Sequence, residues 1–100
     1  MQSAALSIII LAGGRGRRLG QDKATLPFGD GTLLQYVVDH VSELTDDVIA
    51  VVRRDQVVSA HGARSVPDRR PEGGALVGIG TGLAAARYAW SLVVACDMPF

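Results

Sequence analysis

After Ser7, the run Ile8-Ile9-Ile10-Leu11 is apolar at consecutive positions and is cut off by Gly13-Gly14. A strand exposed on one face alternates polar with apolar residues, whereas one without alternation belongs inside a sheet covered on both faces. Crossover helices supply that cover, so such a sheet is mainly parallel. Strand one is expected over about 7–12. Val48-Ile49-Ala50-Val51-Val52 is a second strand of the same kind, and Ser91 to Cys96 is the last, ending at Asp97. Gly29-Asp30-Gly31 signals a turn. Thr32 then opens a helix, with Gln35 placed for a capping box. Leu34, Val37, Val38, Val41 and Leu44 follow at helical spacing and should face the sheet, until Asp46-Asp47 break the pattern. Asp55 to His61 reads as a short helix, Ala63 to Val66 as a short third strand ended by Pro67, and residues 67–74 as a long loop. Leu76 to Tyr88 reads as a helix with Leu76, Ile79, Leu83 and Ala86 inward. Gly78, Gly80 and Gly82 lie inside that helix, each costing about 1 kcal/mol relative to alanine. They mark either close helix–sheet packing or the approach of a ligand. Strands alternating with helices predict an α/β fold with helices on both faces of a mainly parallel sheet.

Chemistry concentrates where the first strand ends. Residues 11–23 hold four glycines, three arginines and a lysine. Glycines let backbone N–H groups turn toward a ligand, and Arg and Lys neutralise anionic oxygens. A loop with both, at the carboxyl end of a first strand, suits a polyphosphate. Neither common phosphate fingerprint fits. A P-loop needs Ser or Thr directly after its lysine, and Ala24 follows Lys23. A dinucleotide fingerprint starting at Gly14 and Gly16 needs glycine at 19, where Leu19 stands and Gly20 comes one late.

Leu11-Ala12-Gly13-Gly14, Arg18-Leu19-Gly20, Asp22-Lys23-Ala24 and Leu26-Pro27 resemble the LAGG-x-x-x-R-[ML]-G-x-DK-x-x-L signature of the nucleotidyltransferases. Within that group the chain is most similar to the molybdenum cofactor guanylyltransferases. Gly74-Ala75-Leu76-Val77-Gly78-Ile79 resembles their GPLAGI segment, with Ala75 where proline is usual, and Val93 to Phe100 resembles their strand ending in CDMPF. The three motifs occur in the family's order and span nearly the whole chain. The resemblance implies a three-layer αβα Rossmann-like nucleotidyltransferase fold, and GMP transfer from Mg²⁺-GTP to molybdopterin with release of pyrophosphate. Members of that family are roughly twice as long. Residues 1–100 are therefore expected to be the N-terminal, nucleotide-binding half of a single domain, truncated after its metal-binding strand, and the open sheet edge should favour self-association.

The totals agree with a folded nucleotide-binding unit. Apolar residues make up 48% of the chain, too many for disorder. Ten basic and ten acidic residues cancel, which removes any global pull toward nucleic acid or an anionic membrane. Residues 1–29 nonetheless carry Arg15, Arg17, Arg18 and Lys23 against Asp22 alone, a positive patch the size of a site. No apolar run approaches the ~18 residues of a membrane span, and no signal peptide is expected. The lone cysteine, Cys96, has no partner for an intramolecular disulfide, which suits the cytoplasm. Two separated histidines and one cysteine give no zinc spacing.

The resemblance also assigns roles. Gly13 and Gly14 would contact phosphate through their backbone, with Leu11 and Ala12 lining the base and ribose. Lys23, and after it Arg18, would neutralise the phosphates in the transition state. Arg15 and Arg17 could touch phosphate or be solvated. Asp97 would hold Mg²⁺, a cation that commonly takes one or two carboxylates with phosphate oxygens and water; a strand-end aspartate capping a turn is the alternative. Asp68 matches an acidic position that contacts the nucleotide, and its carboxylate can accept from guanine N1–H and the 2-amino group together. The plainer alternative is an exposed aspartate pairing with Arg69 or Arg70. Arg53 lies where the family also touches nucleotide, usually through Asn or Ser. His40 and His61 read as surface or half-buried residues rather than catalysts, and no nucleophile–base constellation can be assembled. None is required if the acceptor is a phosphate oxygen, already a competent nucleophile. Three rivals remain: a cytidylyltransferase for the same cofactor, a sugar-phosphate nucleotidyltransferase, and a nucleotide-binding protein without catalysis.

Overall fold

The structure, a computed structural model, describes residues 6–12, 15–16, 21–22, 27–29, 31–53, 60–68 and 75–95. The first apolar run forms β1 (Leu6–Leu11), and Ile8, Ile9 and Ile10 have no exposed surface. The basic loop folds back on itself, with β2 (Arg15–Gly16) and β3 (Gln21–Asp22) pairing antiparallel. β4 (Pro27–Phe28) and β5 (Gly31–Thr32) make a second small ladder. Gly29 turns the chain between them at φ 61°, a backbone region that glycine enters without strain. Thr32 caps α1 (Leu33–Val41), accepting the Gln35 N–H at 3.2 Å. The expected capping box forms by half. The Gln35 side chain bonds Asp39 and the backbone of His61 instead of reaching back to Thr32.

β6 (Asp47–Val52), β7 (Arg64–Pro67), α2 (Ala75–Ala85) and β8 (Trp90–Ala95) complete the order. The four long strands form one parallel sheet, ordered β7-β6-β1-β8. Neighbouring residues of a strand face opposite sides, and two clusters fill those sides. Ile8, Ile10, Val48, Ala50 and Val52 pack with Leu34, Val37 and Val38 of α1. Ile9, Ile49 and Val51 pack with Leu11, Val66, Ala85 and Ala86 at the α2 end. The fold therefore has the expected three layers, helix, sheet and helix. Among the described residues no helix is long and apolar enough to cross a membrane.

Two of the residues expected to face the core are exposed, Ile79 is half-buried, and the side chain of Leu76 lies outside what is described. Leu44 is exposed because α1 has already stopped at Val41, where the Ser42 N–H and hydroxyl both bond the Val38 carbonyl. Leu83 is exposed because α2 presents its small side to the sheet. Gly78, Thr81 and Gly82 are buried, and an added Cβ at Gly82 would stand 2.4 Å from Ile9 Cγ2. For Gly82 the glycine is explained by close packing. The helix expected over 76–88 ends at Ala85, where the next amides find other acceptors. Arg87 N–H donates to Asp47 Oδ2 at 2.9 Å, and Tyr88 N–H to Ser7 Oγ at 3.2 Å. The helix expected over Asp55 to His61 falls mostly outside the described residues; its last residue, His61, is in a turn.

Asp47, read from sequence as a pattern breaker, is the first residue of β6 and is 1% exposed. It accepts from Ser7 Oγ at 2.6 Å and Arg64 Nη2 at 2.7 Å besides the Arg87 amide. Thr45 adds to this network, its hydroxyl donating to the Leu6 carbonyl and accepting the Asp47 N–H. Burial pushes the Asp47 carboxyl up, but the Ser7 hydroxyl, the Arg87 amide and the Arg64 guanidinium outweigh it and hold the group below the ordinary aspartate value. The network binds β1, β6 and β7 together where those strands begin, at the end of the sheet opposite the glycine loop.

Candidate functional site

Counted along the chain, the long strands lie in the order third, second, first, fourth. Chain leaving β1 goes on to β6 on one side, while β8 arrives on the other side of β1. In open α/β sheets the crevice for ligands lies beyond the carboxyl ends of the strands at such a reversal. Here that point is the end of β1, where Leu11 lies beside Val51 on one side and Ala95 on the other. Ala12 is held there by its N–H, which donates to the Val51 carbonyl at 2.9 Å, and it is buried. Leu11 is half-buried on the α2 face.

Asp68 reaches the same end from β7. Its N–H donates to the Val52 carbonyl at 2.7 Å, which continues the β6–β7 ladder past Pro67. The side chain is enclosed rather than exposed, Asp68 being 8% exposed; its expected alternative partners, Arg69 and Arg70, lie outside the described residues. Its Oδ1 accepts the Thr81 hydroxyl at 3.1 Å. Across from it runs α2. A Cβ built on Gly78 would lie 3.1 Å from Leu11 Cδ2 and 3.9 Å from both Asp68 Oδ2 and Val51 Cγ1. Gly78 thus lets the helix close over Leu11 and Asp68, which the fold brings together from distant parts of the sequence. Thr81 was not foreseen. The one available signal was a hydroxyl in a helix otherwise built of apolar and small residues.

Half-buried Arg53 follows β6 directly, at this same end of the sheet. His40 and His61, expected at the surface or half-buried, are exposed. The His40 ring packs on Tyr36 at 4.2 Å between centroids, and its Nδ1 bonds the Tyr36 carbonyl. Among the described residues no group of three or more His, Cys, Asp or Glu converges. Gly13, Gly14, Arg18, Lys23 and Asp97 lie outside the described residues, as do Arg17, Arg69 and Arg70. Arg15 is described only as backbone, opposite Asp22 in the β2–β3 ladder.

A fold with its crevice at this point is shared by many nucleotide-binding families, and comparison with known proteins separates them. The family model for the MobA-like NTP transferase domain matches residues 8–100. The chain belongs to that family. As a MobA-like domain it is 44% identical over 92 residues to a probable molybdenum cofactor guanylyltransferase of Pelotomaculum thermopropionicum, a match covering 92% of this chain and 45% of the relative. It is 41% identical to the molybdenum cofactor guanylyltransferase of Pseudomonas putida, over 93% of this chain and 50% of that protein. For the Pseudomonas aeruginosa enzyme of the same name the identity is 43%, over 93% and 48%. This MobA-like chain therefore spans about half the length of the curated relatives it matches. Its parallel sheet and flanking helices are those of an α/β Rossmann-like nucleotidyltransferase fold.

Proposed function

We propose that this chain is the donor-nucleotide half of a molybdenum cofactor guanylyltransferase, which binds GTP and transfers GMP to molybdopterin in the cytoplasm. The observation that carries the proposal is the meeting of Leu11, Gly78 and the enclosed Asp68 carboxylate at the reversal of strand order, directly beside the glycine- and arginine-rich loop. An apolar side chain, a close backbone and an oriented carboxylate suit a purine whose edge carries two donors. Asp68 would accept from guanine N1–H and the 2-amino group, and Leu11 and Ala12 would line base and ribose. Adenine offers an acceptor at N1, which a carboxylate repels, so this arrangement favours GTP over ATP.

Gly13 and Gly14 would offer backbone N–H groups to phosphate, and Lys23 and Arg18 would neutralise charge that moves onto the leaving pyrophosphate. Mg²⁺, which we assign to Asp97, would polarise the α-phosphate; a hard carboxylate oxygen fits its preference. A phosphate oxygen of molybdopterin would attack the α-phosphorus as the bond to the β-phosphate oxygen breaks. That oxygen carries no proton to remove, so no general base is needed. The lone cysteine of the sequence suits a reducing compartment.

Calorimetric titration of the chain with GTP, CTP and ATP, each with and without Mg²⁺, tests the proposal. Magnesium-dependent preference for GTP supports it. Preference for CTP moves the chain to the cytidylyl branch, and a folded chain that binds none of the three overturns the assignment of the crevice.

A further inference from the structure

The described buried positions of α2 are Gly78, Thr81 and Gly82, and Ala85 packs beside them against the cluster of Ile9, Ile49 and Val51. None of these side chains is larger than threonine, so they give α2 no large ridge to lock between the side chains of the strands. The helix rests instead on Ile9, whose side chain stands closest to the bare backbone of Gly82. A helix seated on one close contact can rock about it. Four residues toward its amino end lies Gly78, closed over Leu11 and Asp68. Three residues toward its carboxyl end lies Ala85, the last residue of the helix. At 1.5 Å per residue these arms are about 6 Å and about 4.5 Å long, so a rise of about 1 Å at Ala85 dips Gly78 by slightly more.

A side chain from β7 grips the carboxyl arm. Arg64, the first residue of that strand, donates from Nη2 to the Ala85 carbonyl at 3.0 Å and to Asp47 Oδ1 at 2.7 Å. The last carbonyls of a helix have no partner within it, and a cation beside them is favourable. The Asp47 side chain has no exposed surface and also accepts the Arg87 amide just beyond the helix. Arg64 therefore ties the end of α2 to a carboxylate that is itself held fast. We propose that Arg64 is a positioning residue for the nucleotide crevice: its bridge from Asp47 to the Ala85 carbonyl sets the tilt of α2 on Ile9, and with it the clearance of Gly78 above Leu11 and Asp68. It acts from the start of its strand, at the end of the sheet away from the ligand. The inference rests on the reading of the crevice proposed above.

Calorimetric titration with Mg²⁺-GTP tests it on wild type, Arg64→Ala, Arg64→Lys and Arg87→Ala, each at a temperature where circular dichroism shows the chain fully folded. Arg64→Ala should weaken GTP about fivefold, the scale of one net hydrogen bond. Arg64→Lys should return to within about twofold of wild type, because both bonds leave a single nitrogen and an ammonium carries three donors. Arg87→Ala controls for charge: it removes a guanidinium 3.9 Å from Asp47 Oδ1, keeps the Arg64 bridge, and should stay within about twofold. If Arg64→Ala does not fold, Arg64→Met, which keeps an apolar stem without donors, carries the same comparison. Wild-type affinity in the folded alanine or methionine variant overturns the role of Arg64 and leaves the crevice reading intact. A loss that lysine does not recover, or an equal loss in Arg87→Ala, also overturns it. A folded wild-type chain that binds no GTP removes the crevice reading, and this inference with it.

Discussion

Replacing Gly82 with alanine should destabilise the fold even though alanine is the better helix former. The new Cβ would lie 2.4 Å from Ile9 Cγ2, 3.0 Å from Cγ1 and 3.1 Å from Cδ1. Unstrained carbons sit about 3.5–4.0 Å apart, so helix and strand must separate by roughly 1 Å. Ile9 cannot yield, because it has no exposed surface and its offending methyl is on the β-branch. Overpacking of this kind costs about 1–3 kcal/mol, and with so short a contact the upper end applies. The gain in helix propensity returns about 1 kcal/mol. The net loss is about 2 kcal/mol, or roughly 10 °C in Tm for a chain this size. Gly78→Ala is the control, since its closest contact is the end of the Leu11 side chain at 3.1 Å, which can turn away. It should leave stability unchanged or raise it by about 0.5 kcal/mol. Urea unfolding at constant m reads both. In a double-mutant cycle, Ile9→Ala with Gly82→Ala should cost less than the two single changes together. Wild-type stability in Gly82→Ala would refute the account of why this helix carries its glycines.

Three further outcomes follow from particular contacts. The Asp47 carboxyl is held below its ordinary value in the fold, so its stabilisation is complete above the unfolded value near 4 and is lost as pH falls through the folded one. Urea unfolding of wild type should show that acid loss. Asp47→Asn should lack it and be about 2–3 kcal/mol less stable at neutral pH, less than a fully enclosed pair because Arg64 is 43% exposed. Asp68→Asn puts an amide donor beside guanine N1–H, and titration should show its preference for GTP over ATP reduced about tenfold or more; an unchanged preference counts against Asp68 as the base-reading group. Finally, β8 is an edge of the described sheet, Trp90, Leu92 and Val93 are exposed, and residues 89–95 carry no charge. Sedimentation should show self-association that Val93→Lys abolishes, and a monomeric wild-type chain would contradict this.

Strands and layers were legible from sequence because unalternating apolar runs have one structural use. Strand one, expected over about 7–12, runs Leu6–Leu11, and strand two, expected over Val48–Val52, runs Asp47–Val52. What failed was orientation within a helix. Bulk marks the inward face of α1, where Leu34, Val37 and Val38 are buried, but misleads for α2, which approaches closely enough to need glycine inward and leaves Leu83 outside. Asp47 was misread because charge before an apolar run looks like a boundary, and its partners Ser7, Arg64 and Arg87 are scattered along the chain. Of the candidate site, Leu11, Ala12 and Asp68 were readable through family motifs; the structure brings Leu11 and Asp68 together across Gly78 and packs Ala12 in the core on the α1 side. Thr81 belongs to no motif, and only the three-dimensional contact exposes it.

The Ser7–Asp47 network also constrains how the chain can be made. Ser7 is made before its partners: its hydroxyl bonds a carboxylate 40 residues later and receives an amide 81 residues later. The first strand to emerge is flanked on both sides by strands that emerge after it. Until β6 and β8 have been made, β1 is therefore an apolar segment without its neighbours, the condition under which a nascent chain most needs shielding. Closure of this network is a late event, because it waits on Tyr88, the last of its members to be made.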